Sequence, residues 1–430
     1  MIPLEWAELE RLELGALRGT PSAITAIKAD SRDVGPGDLF VALNTGVAFV
    51  GEAAARGAAT LVPNDQHAAL AALAALVRSK SDARVVAIVG SYGKTSTKDI
   101  LGALCAAVTP TIWADASQNN EIGLPLTVLR LEPDTRVLVT EMGMRGLGQI
   151  TELCACARPD VALVTSIGAE HLELVGTVEN VARANAEAIA ALPPGGIAVV
   201  PADAPALAPY LTRDDIDVRT FDRLAVRRDG DLWRFLIGST DTALALPFEQ
   251  RHMAENTLAA LTAYDALGLP LERAQEGATR IVISRWRGEE IPLPGGGVVI
   301  NDAYNANPAS MRAALKDLSE RAGGRRRVAI LGEMAELGTA ADGYHLEVGT
   351  LLAELGFDVV VAVGDPARAY LEASDELETE QHWISDAAAF ESIVDALRPG
   401  DAILVKASRT VGLEGIPAVI EKRAGVWFES

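Results

Sequence analysis

Residues 85–108 read VVAIVGSYGKTSTKDILGALCAAV, and this stretch decides the fold of the chain. Its first part, residues 85–89, is a short apolar run rich in valine, which predicts a strand buried on both faces of a parallel sheet. Apolar residues then recur at helical spacing and predict a helix packed on that sheet. They are Ile100, Leu101, Leu104 and Val108. The stretch therefore predicts a strand, a glycine-containing turn and a helix.

The turn itself, Gly90-Ser91-Tyr92-Gly93-Lys94-Thr95, has the composition of a phosphate-binding loop. Successive backbone N–H groups at a helix N-terminus form an anion site. A lysine adds positive charge for the terminal phosphates, and the threonine hydroxyl can ligate Mg²⁺. The loop is shorter than the common G-x-x-x-x-G-K-[ST] form, because Ile88 stands at the place of its first glycine. A plain glycine turn that caps the helix is the alternative, but capping alone does not explain the Lys-Thr pair.

Composition narrows the class of protein. The length of 430 residues suggests about three domains at roughly 150 residues each. The net charge of −21 disfavours nucleic acid as a partner, since phosphate-binding surfaces need clustered Lys and Arg. Cys105, Cys154 and Cys156 are too few for a disulfide framework and form a poor zinc site, so we expect buried thiols in a reducing compartment.

Membrane insertion is not expected. The longest apolar run, residues 68–77, has ten residues, well short of the roughly 20 that span a bilayer. The N-terminus lacks a basic start followed by an apolar segment, so no signal peptide is predicted. We therefore expect a soluble cytoplasmic protein.

Alternating strands and helices predict an α/β protein of three domains, residues 1–81, 82–295 and 296–430. The first is a small α/β domain without a nucleotide loop. The second carries the phosphate loop in a doubly wound parallel sheet. The third follows Gly295-Gly296-Gly297, read as a flexible junction, and is a Rossmann-like domain without a glycine-rich loop.

Short apolar runs and helical spacing give the elements. The predicted strands are residues 39–43, 60–62, 136–140, 161–165, 197–200, 233–237, 242–246, 298–300, 327–331, 358–363 and 402–405. The predicted helices are residues 52–58, 180–192, 254–267 and 309–320, and residues 79–84 are read as a linker. Because ligands bind at the carboxyl ends of parallel strands, we expect Glu141 and His171 to lie near Lys94 and Thr95.

Beyond the loop, the chain resembles the Mur ligases, and most closely their MurF branch, along essentially its whole length. Taken singly several of the matching segments are weak, but their order across three domains is specific. The segments are SR at 31–32, PGDLF at 36–40, GSYGKT at 90–95, NNEIGLP at 119–125, EMG at 141–143, AEHL at 169–172, DAYNANP at 302–308, GEMAELG at 332–338 and VKASR at 405–409.

The resemblance implies an ATP-dependent amide ligase of peptidoglycan synthesis. That branch joins D-alanyl-D-alanine to a UDP-N-acetylmuramoyl-tripeptide. A substrate carboxylate attacks the γ-phosphorus of ATP, and an amine then attacks the acyl phosphate. ATP and Mg²⁺ are the implied cofactors, the partners are small-molecule substrates, and a monomer is expected.

The resemblance also implies roles for individual residues. Lys94, Glu141, His171 and Arg287 would be catalytic, with Arg287 in the place of the family's interdomain arginine. Thr95 and Glu141 would hold one Mg²⁺, and His171 would reach a second. Nucleotide-binding residues would be Gly90, Ser91, Gly93, Lys94, Thr95, Ser96, Asn256 and Asp302. Substrate-binding residues would be Ser31, Arg32, Asn119, Asn120, Arg145, Tyr304, Asn305 and Asn307.

Purely structural roles remain possible for several of these residues. His171 could be a core or capping histidine. The segment around Tyr304 could be an Asn-Pro turn with a packed tyrosine. Ser31 and Arg32 could belong to a solvated turn.

Three departures from the family pattern matter. Asn185 stands where relatives carry a lysine that CO₂ converts to a metal-binding carbamate, so we predict a metal site without that ligand, with Asn185 or Glu187 acting through water. After Leu43, residues 44–50 lack the usual polar Asp-Gly-His loop, which weakens the assignment of the UDP-sugar. MurF-type chains often read Glu-Met-Gly-x-Asn-His after the second strand of the central domain, and this chain has Arg145 at the place of the Asn. Arg145 could still face an anionic substrate.

Other functions stay open. A Mur-family ligase that joins a different carboxylate and amine is the first alternative, because of the altered loop. A P-loop nucleotide switch or kinase is disfavoured by the lack of an Asn-Lys-x-Asp motif. An inactive nucleotide-binding subunit is disfavoured by the intact Lys94, Thr95, Glu141 and His171.

Overall fold

The strand that leads into the phosphate loop, Arg84–Val89, lies inside a six-stranded sheet. The structure is a computed structural model that describes residues 1–372, 379–425 and 427. All neighbours in this sheet run parallel, as predicted. The strand order is Asp217–Phe221, Ile197–Pro201, Val161–Val164, Arg84–Val89, Val137–Glu141 and Thr111–Trp113. Buried residues, mostly valine, isoleucine, leucine and alanine, fill the four inner strands because helices cover both faces.

Helices and a small antiparallel sheet accompany this parallel sheet. The helices are Lys94–Ala106, Gly123–Val128, Gln149–Ala157, Glu187–Ala190 and Ala274–Ala278. Two more, Val178–Asn185 and Arg251–Ala266, complete the set. The antiparallel strands are Arg227–Asp229, Leu232–Ile237 and Thr240–Leu244. The helix predicted over 180–192 is thus interrupted at Ala186, and the helix predicted from 254 begins at Arg251.

The N-terminal part has its own mixed sheet. Its strand order is Gly15–Arg18, Ala59–Pro63, Asp38–Val41 and Ala26–Lys28, and Leu4–Glu5 pairs separately with Ala23–Ile24. The helices here are Trp6–Arg11, Val50–Ala55 and Gln66–Ser79. The stretch predicted as a linker therefore begins with the last helical residue, Ser79, and ends with the first strand residue, Arg84.

The C-terminal part forms the second six-stranded sheet. Its strand order is Glu289–Pro292, Val298–Asp302, Ala402–Lys406, Arg327–Gly332, Val359–Val363 and Glu380–Ile384. Only the first pair is antiparallel. The helices are Leu172–Val175, Pro308–Arg321, Ala341–Glu354, Ala369–Glu372 and Ile416–Ala424. Apolar clusters pack on both faces of this sheet. The three-domain α/β architecture is therefore confirmed, with one main sheet in each domain and the phosphate loop in the central one.

Short 3-10 segments join many of these elements. They are Asn44–Phe49, Pro205–Tyr210, Arg223–Ala225, Leu271–Arg273, Pro294–Gly296, Gly338–Ala340, Pro366–Arg368, Ala387–Ser392, Val394–Ala396, Arg409–Val411 and Leu413–Gly415. The segment at Pro294–Gly296 forms the turn of a hairpin, because Pro292 pairs with Val298 across it. Gly295, Gly296 and Gly297, which were predicted to form a flexible junction, thus lie in a turn between two strands of the C-terminal sheet.

By contact density the chain divides into two units. One comprises Met1–Ser166, Ala182–Pro247 and Asn256–Val282, and the other comprises Ile167–Val181, Phe248–Glu255 and Ile283–Ser430. The boundaries predicted at 81 and 295 remain predictions. No helix in the described part of the chain has both the length and the apolar character that crossing a bilayer requires.

All three cysteines are buried with free thiols, as expected. Burial raises the pKa of Cys154 and of Cys156 to about 12. Both side chains are therefore protonated thiols near neutral pH, which suits a packing role.

Candidate active site

The phosphate loop needs both of its glycines. Gly93 has a φ of +82° and ends the loop, and a Cβ there would lie 2.5 Å from Asn256 Oδ1. Gly90 has a φ of +129°, and a Cβ there would lie 2.3 Å from Thr165 Oγ1. Both positions therefore combine left-handed backbone with a close neighbour, which excludes any side chain. The predicted nucleotide-binding residue Asn256 is thereby placed against the loop.

Side chains and backbone of neighbouring segments already hold the first half of the loop. Gly90 N–H donates to Asn185 Oδ1 at 2.6 Å, and Ser91 N–H donates to the Ser166 carbonyl at 3.0 Å. Tyr92 N–H donates to Ser166 Oγ at 2.8 Å. The N–H groups of Gly90, Ser91 and Tyr92 thus have partners within the protein, so the anion site predicted for the whole loop has fewer backbone donors than expected.

The first helical turn supplies the remaining donors. The helix begins at Lys94, so the N–H groups of Lys94, Thr95 and Ser96 are not used within the helix. The positive end of the helix dipole lies at the same place. Lys94 Nζ folds back onto the carbonyl of Gly90. These groups form a phosphate site of one helical turn and one ammonium.

Thr95 and Glu141 are buried side chains of the same unit. Thr95 is 1% exposed, and its Oγ1 lies 3.2 Å from Ser117 Oγ. Glu141 ends the strand next to the loop, where it pairs in register with Ile88, and it is 1% exposed. Its Oε1 accepts a hydrogen bond from Asn119 Nδ2 at 2.8 Å.

The second oxygen of Glu141 is the feature of this site that points to a ligand. Glu141 Oε2 is buried and has no hydrogen-bond partner among residues 1–372, 379–425 and 427. A buried carboxylate oxygen without a partner is costly, so it is normally satisfied by something bound. Glu141 Oε2 and the Thr95 hydroxyl are oxygen ligands of the kind that Mg²⁺ uses, together with phosphate oxygens.

Asn185 and Glu187, predicted to act on a metal through water, both have hydrogen-bond partners within the protein. Asn185 is 1% exposed and bonds the loop at Gly90. The Glu187 carboxylate accepts from Gly148 N–H, at 2.6 Å, and from both the N–H and the hydroxyl of Thr151. Asn185 thus supports the phosphate loop, whereas Glu187 holds the start of the helix Gln149–Ala157, and their predicted contact with a metal stays a prediction.

The other predicted residues of this unit take ordinary structural places. Asn120 Oδ1 accepts from Gly123 N–H at 2.9 Å, where a helix begins. The Arg145 side chain is exposed. Ser31 is buried, and Arg32 forms a two-pronged ion pair with Asp30.

That ion pair closes the turn on itself. The hydrogen bond from the Arg32 side chain lowers the pKa of Asp30 to about 2. The Arg32 side chain is exposed, and the predicted contact of Ser31 and Arg32 with substrate stays a prediction. The altered loop after Leu43 forms the 3-10 segment Asn44–Phe49, in which the Val47 side chain is 54% exposed and the Phe49 side chain 47% exposed.

The second unit brings another group of predicted residues together. Asp302 Oδ2 lies 2.5 Å from Lys406 Nζ, which also donates to the Asn305 carbonyl at 3.0 Å. The Arg287 guanidinium carbon lies 4.0 Å from the centroid of the Tyr304 ring, a cation–π contact. Asp302 and Lys406 end two neighbouring parallel strands, Val298–Asp302 and Ala402–Lys406, so their charged groups lie at the same edge of the sheet.

Asn307 has a capping role here. Its Oδ1 accepts from Ser310 N–H at 2.9 Å, and Asn307 N–H donates to Ser310 Oγ at 3.0 Å. This reciprocal pair is a capping box at the start of Pro308–Arg321. Its predicted contact with substrate stays a prediction.

His171 contacts a residue that sequence reasoning missed. Its Nδ1 contacts Glu336 Oε2, and Glu173 N–H donates to the Glu336 carbonyl at 3.1 Å. His171 and Glu336 have φ values of +50° and +61°, which are uncommon for residues other than glycine. Paired backbone strain of this kind is typical of functional sites.

Lys406 and Ser117 were also missed as site residues. Lys406 lies in the segment VKASR at 405–409, which resembles the Mur ligases, and it ends an apolar strand. Both features could have indicated a site residue. Ser117 carried no signal, because its role depends on how residues 114–117 return to the helix. No group of three or more His, Cys, Asp or Glu side chains in the described chain is arranged to hold a metal by itself.

Comparison with known proteins places these features in a family. Residues 88–264 match the Mur ligase middle domain, and residues 286–409 match the Mur ligase, glutamate ligase domain. The UDP-N-acetylmuramoyl-tripeptide--D-alanyl-D-alanine ligase of Escherichia coli is 30% identical over 456 residues, which cover 98% of this chain and 99% of that protein. The chain belongs to the Mur ligase family. The identically named ligase of Mycobacterium bovis is 32% identical over 466 residues, with 91% of each chain covered.

Solved Mur ligase structures are similar along the same length. MurF from Acinetobacter baumannii superposes with a TM-score of 0.84 at 27% identity, covering 98% of this chain and 99% of the other. The MurF ligase from Thermotoga maritima, solved in complex with ADP, has a TM-score of 0.78 at 25% identity and covers 93% and 98%. The resemblance inferred from the sequence motifs is thus confirmed at the level of the family.

Proposed function

We propose that this protein is an ATP-dependent ligase that joins D-alanyl-D-alanine to UDP-N-acetylmuramoyl-tripeptide in peptidoglycan precursor synthesis. The observation that carries the proposal is similarity over nearly the whole chain to ligases named for that reaction. The phosphate site around Lys94 supports the use of ATP, and a relative of known structure holds ADP.

The proposed reaction has two steps. A carboxylate oxygen of the tripeptide attacks the γ-phosphorus of ATP, the bond to the β-γ bridging oxygen breaks, and ADP leaves. The amine of D-alanyl-D-alanine then attacks the acyl carbon, loses a proton, and phosphate departs as the C–O bond breaks. Such chemistry needs charge neutralisation and alignment rather than a covalent enzyme nucleophile.

Lys94 and the first helical turn perform the neutralisation. Nζ of Lys94 leaves the Gly90 carbonyl and pairs with the β- and γ-phosphates, while the N–H groups of Thr95 and Ser96 donate to phosphate oxygens. Removing such a donor typically costs about 10²–10³ in rate. We therefore expect Lys94→Ala to lower turnover by at least about 100-fold while leaving the fold intact, because the Lys94 side chain is only half-buried.

The residues at the loop fit a divalent cation. Thr95 Oγ1 and Glu141 Oε2 would hold Mg²⁺, and the orphaned, buried Oε2 is the observation that favours this. A bound Mg²⁺ would offset phosphate charge. His171 is the proposed ligand of a second Mg²⁺ through Nε2, since Nδ1 is engaged by Glu336.

The remaining assignments follow the family pattern. Asn256 and Asp302 would contact adenine and ribose, and Arg287 would act on the transferring phosphoryl group. Asn119, Tyr304 and Asn305 would contribute to the substrate sites. We also propose that the protein acts as a monomer in the cytoplasm.

Phosphate release tests the proposal. The assay supplies ATP and Mg²⁺ with UDP-N-acetylmuramoyl-tripeptide, with D-alanyl-D-alanine, with both or with neither. Release that requires both substrates supports the ligase. ATP turnover indifferent to both would contradict it and would favour a nucleotide switch.

A Mur-family ligase with a different carboxylate substrate is the second candidate. The exposed apolar side chains of Val47 and Phe49, in place of a polar loop, and the closed Arg32–Asp30 turn favour it. Competition separates the two candidates. Free UDP should inhibit an enzyme that binds the UDP-sugar, and failure of UDP to inhibit would favour the second candidate.

A further inference from the structure

Lys98 is a fully buried lysine that no role described so far explains. It lies one helical turn beyond Lys94 on Lys94–Ala106 and is 0% exposed. Burying an ammonium group is costly unless every donor has a partner. A buried lysine kept one turn from a phosphate site therefore calls for a specific set of acceptors.

The acceptors of Lys98 identify what it holds. Nζ lies 2.8 Å from Asp99 Oδ1 and donates to the carbonyls of Ala114, at 2.8 Å, and of Ala116, at 2.5 Å. An ammonium has three donors, so these partners use its full capacity. Ala116 has a φ of +46°, a strained conformation for alanine that persists only where neighbours enforce it. Lys98 thus clamps residues 114–116 onto the helix of the phosphate loop.

The clamped segment leads directly to the proposed metal ligands. We call residues 114–119 the support loop. Ser117 Oγ lies 3.2 Å from Thr95 Oγ1, and Asn119 Nδ2 donates to Glu141 Oε1 at 2.8 Å. The Asn119 carbonyl also accepts from Gly143 N–H at 2.8 Å, which ties the loop to the segment after Glu141. One loop therefore orients both side chains.

We propose that Lys98 is a positioning residue of the magnesium site, acting through the support loop to orient Thr95 and Glu141. This inference rests on the proposed function, since that function supplies the cation. Lys98 itself contacts neither nucleotide nor metal. Its removal should therefore loosen the site and weaken metal binding more than it slows the reaction at saturating metal. Residues that orient metal ligands typically change metal affinity by about 10–100-fold.

The test measures metal affinity directly in the full-length protein. Mn²⁺ replaces Mg²⁺, a non-hydrolysable ATP analogue is present, and bound Mn²⁺ is counted by electron paramagnetic resonance. Lys98→Met keeps the length of the side chain and removes its donors. We expect its Kd for Mn²⁺ to rise by about tenfold or more, and the Mg²⁺ concentration for half-maximal phosphate release to rise in parallel. kcat at saturating Mg²⁺ should change by a smaller factor.

Two further variants keep the outcome decisive. Thr97→Val is the matched control, because Thr97 is buried on the same helix and its hydroxyl has no hydrogen-bond partner within the described residues. Ser117→Ala tests the other end of the link and should shift the Mn²⁺ Kd in the same direction. If Lys98→Met does not fold, Ser117→Ala decides.

A folded Lys98→Met, or failing that Ser117→Ala, with the Mn²⁺ affinity of wild type would overturn the inference. Wild-type protein that binds no Mn²⁺ with the analogue would overturn both the inference and the magnesium site. Normal Mn²⁺ binding without substrate-dependent phosphate release would contradict only the proposed function.

Discussion

At the scale of single residues, Asn185 shows what can be predicted from the sequence and what cannot. The sequence identified the position as a departure from the family lysine, but it could not supply the partner. That partner is a backbone N–H of the phosphate loop, brought there by the fold. The loop residues Lys94 and Thr95 were predictable because their chemistry is local. Pairs such as His171 with Glu336, or Asp302 with Lys406, depend on residues distant in sequence and were not.

Asn185 supports the first prediction. Asn185→Leu leaves the buried Gly90 N–H unsatisfied, which should destabilise the protein by about 1–3 kcal/mol and raise the KM for ATP. Asn185→Asp retains an acceptor and should keep more of the loop geometry. Urea unfolding and ATP titrations measure the two effects. Equal KM values for wild type and Asn185→Leu would contradict a role in shaping the loop.

The same residue predicts independence from CO₂. An amide cannot form a carbamate, so added bicarbonate should not raise the activity of the wild-type protein. The measurement compares phosphate release in CO₂-depleted buffer with and without bicarbonate. Activity that required bicarbonate would show that another residue carries the modification.

His252 predicts a pH dependence of stability. Burial lowers its pKa in the folded state; Lys406 and Arg321 lower it further, and Asp317 and Asp302 oppose them. The unfolded chain takes up a proton near the ordinary histidine pKa of about 6.5, whereas the folded chain does not. The contribution of His252 to stability should therefore fall as pH drops below about 6.5 toward the lowered folded pKa.

Unfolding free energies at several pH values test this. Between pH of about 8 and about 5.5, wild type should lose stability relative to His252→Gln, which cannot titrate. Parallel curves for the two proteins would show that His252 does not titrate differently on folding.

At the scale of elements, the inner strands of the two six-stranded sheets were predicted and their edge strands were missed. Inner strands such as Val161–Val164 are continuous apolar runs because helices cover both faces. The strands Thr111–Trp113, Asp217–Phe221, Glu289–Pro292 and Glu380–Ile384 were missed, and all four lie at sheet edges. Edge strands carry charged and polar residues on exposed faces, so their sequences resemble loops. The hairpin turn at residues 295–297 was not predicted for the same reason, because the first strand of the hairpin, Glu289–Pro292, is an edge strand.

Asn307 supports a prediction at this scale. Asn307→Ala removes the cap of Pro308–Arg321 and should lower the free energy of unfolding by about 1 kcal/mol. Asn305→Ala is the control for stability, because the Asn305 side chain is exposed and, within the described residues, its hydrogen bond is made by the backbone carbonyl. Urea unfolding of the three proteins gives the difference. A loss of activity without a loss of stability would show that Asn307 binds substrate rather than capping the helix.

At the scale of the whole molecule, motif order identified the family before any contact was known. Nine short segments spread over residues 31–409 match in sequence order, and relatives cover nearly the full length. Each of the three main sheets lies in a part of the chain that carries some of the predicted site residues. The substrate end is the part that the residues support least, because Ser31 is buried, Arg32 is paired and the loop after Leu43 is apolar.

The central claim is that ATP cleavage is coupled to joining the two substrates, and product stoichiometry tests it most directly. ADP, phosphate and the ligated nucleotide peptide are quantified by enzyme-coupled assay and mass spectrometry in one reaction, for wild type and Lys94→Ala. We expect equal amounts of the three products from wild type, a product mass increased by one D-alanyl-D-alanine unit less water, and turnover by Lys94→Ala that is lower by at least about 100-fold. ADP formed without ligated product, or ligated product formed equally well by Lys94→Ala, would contradict the account.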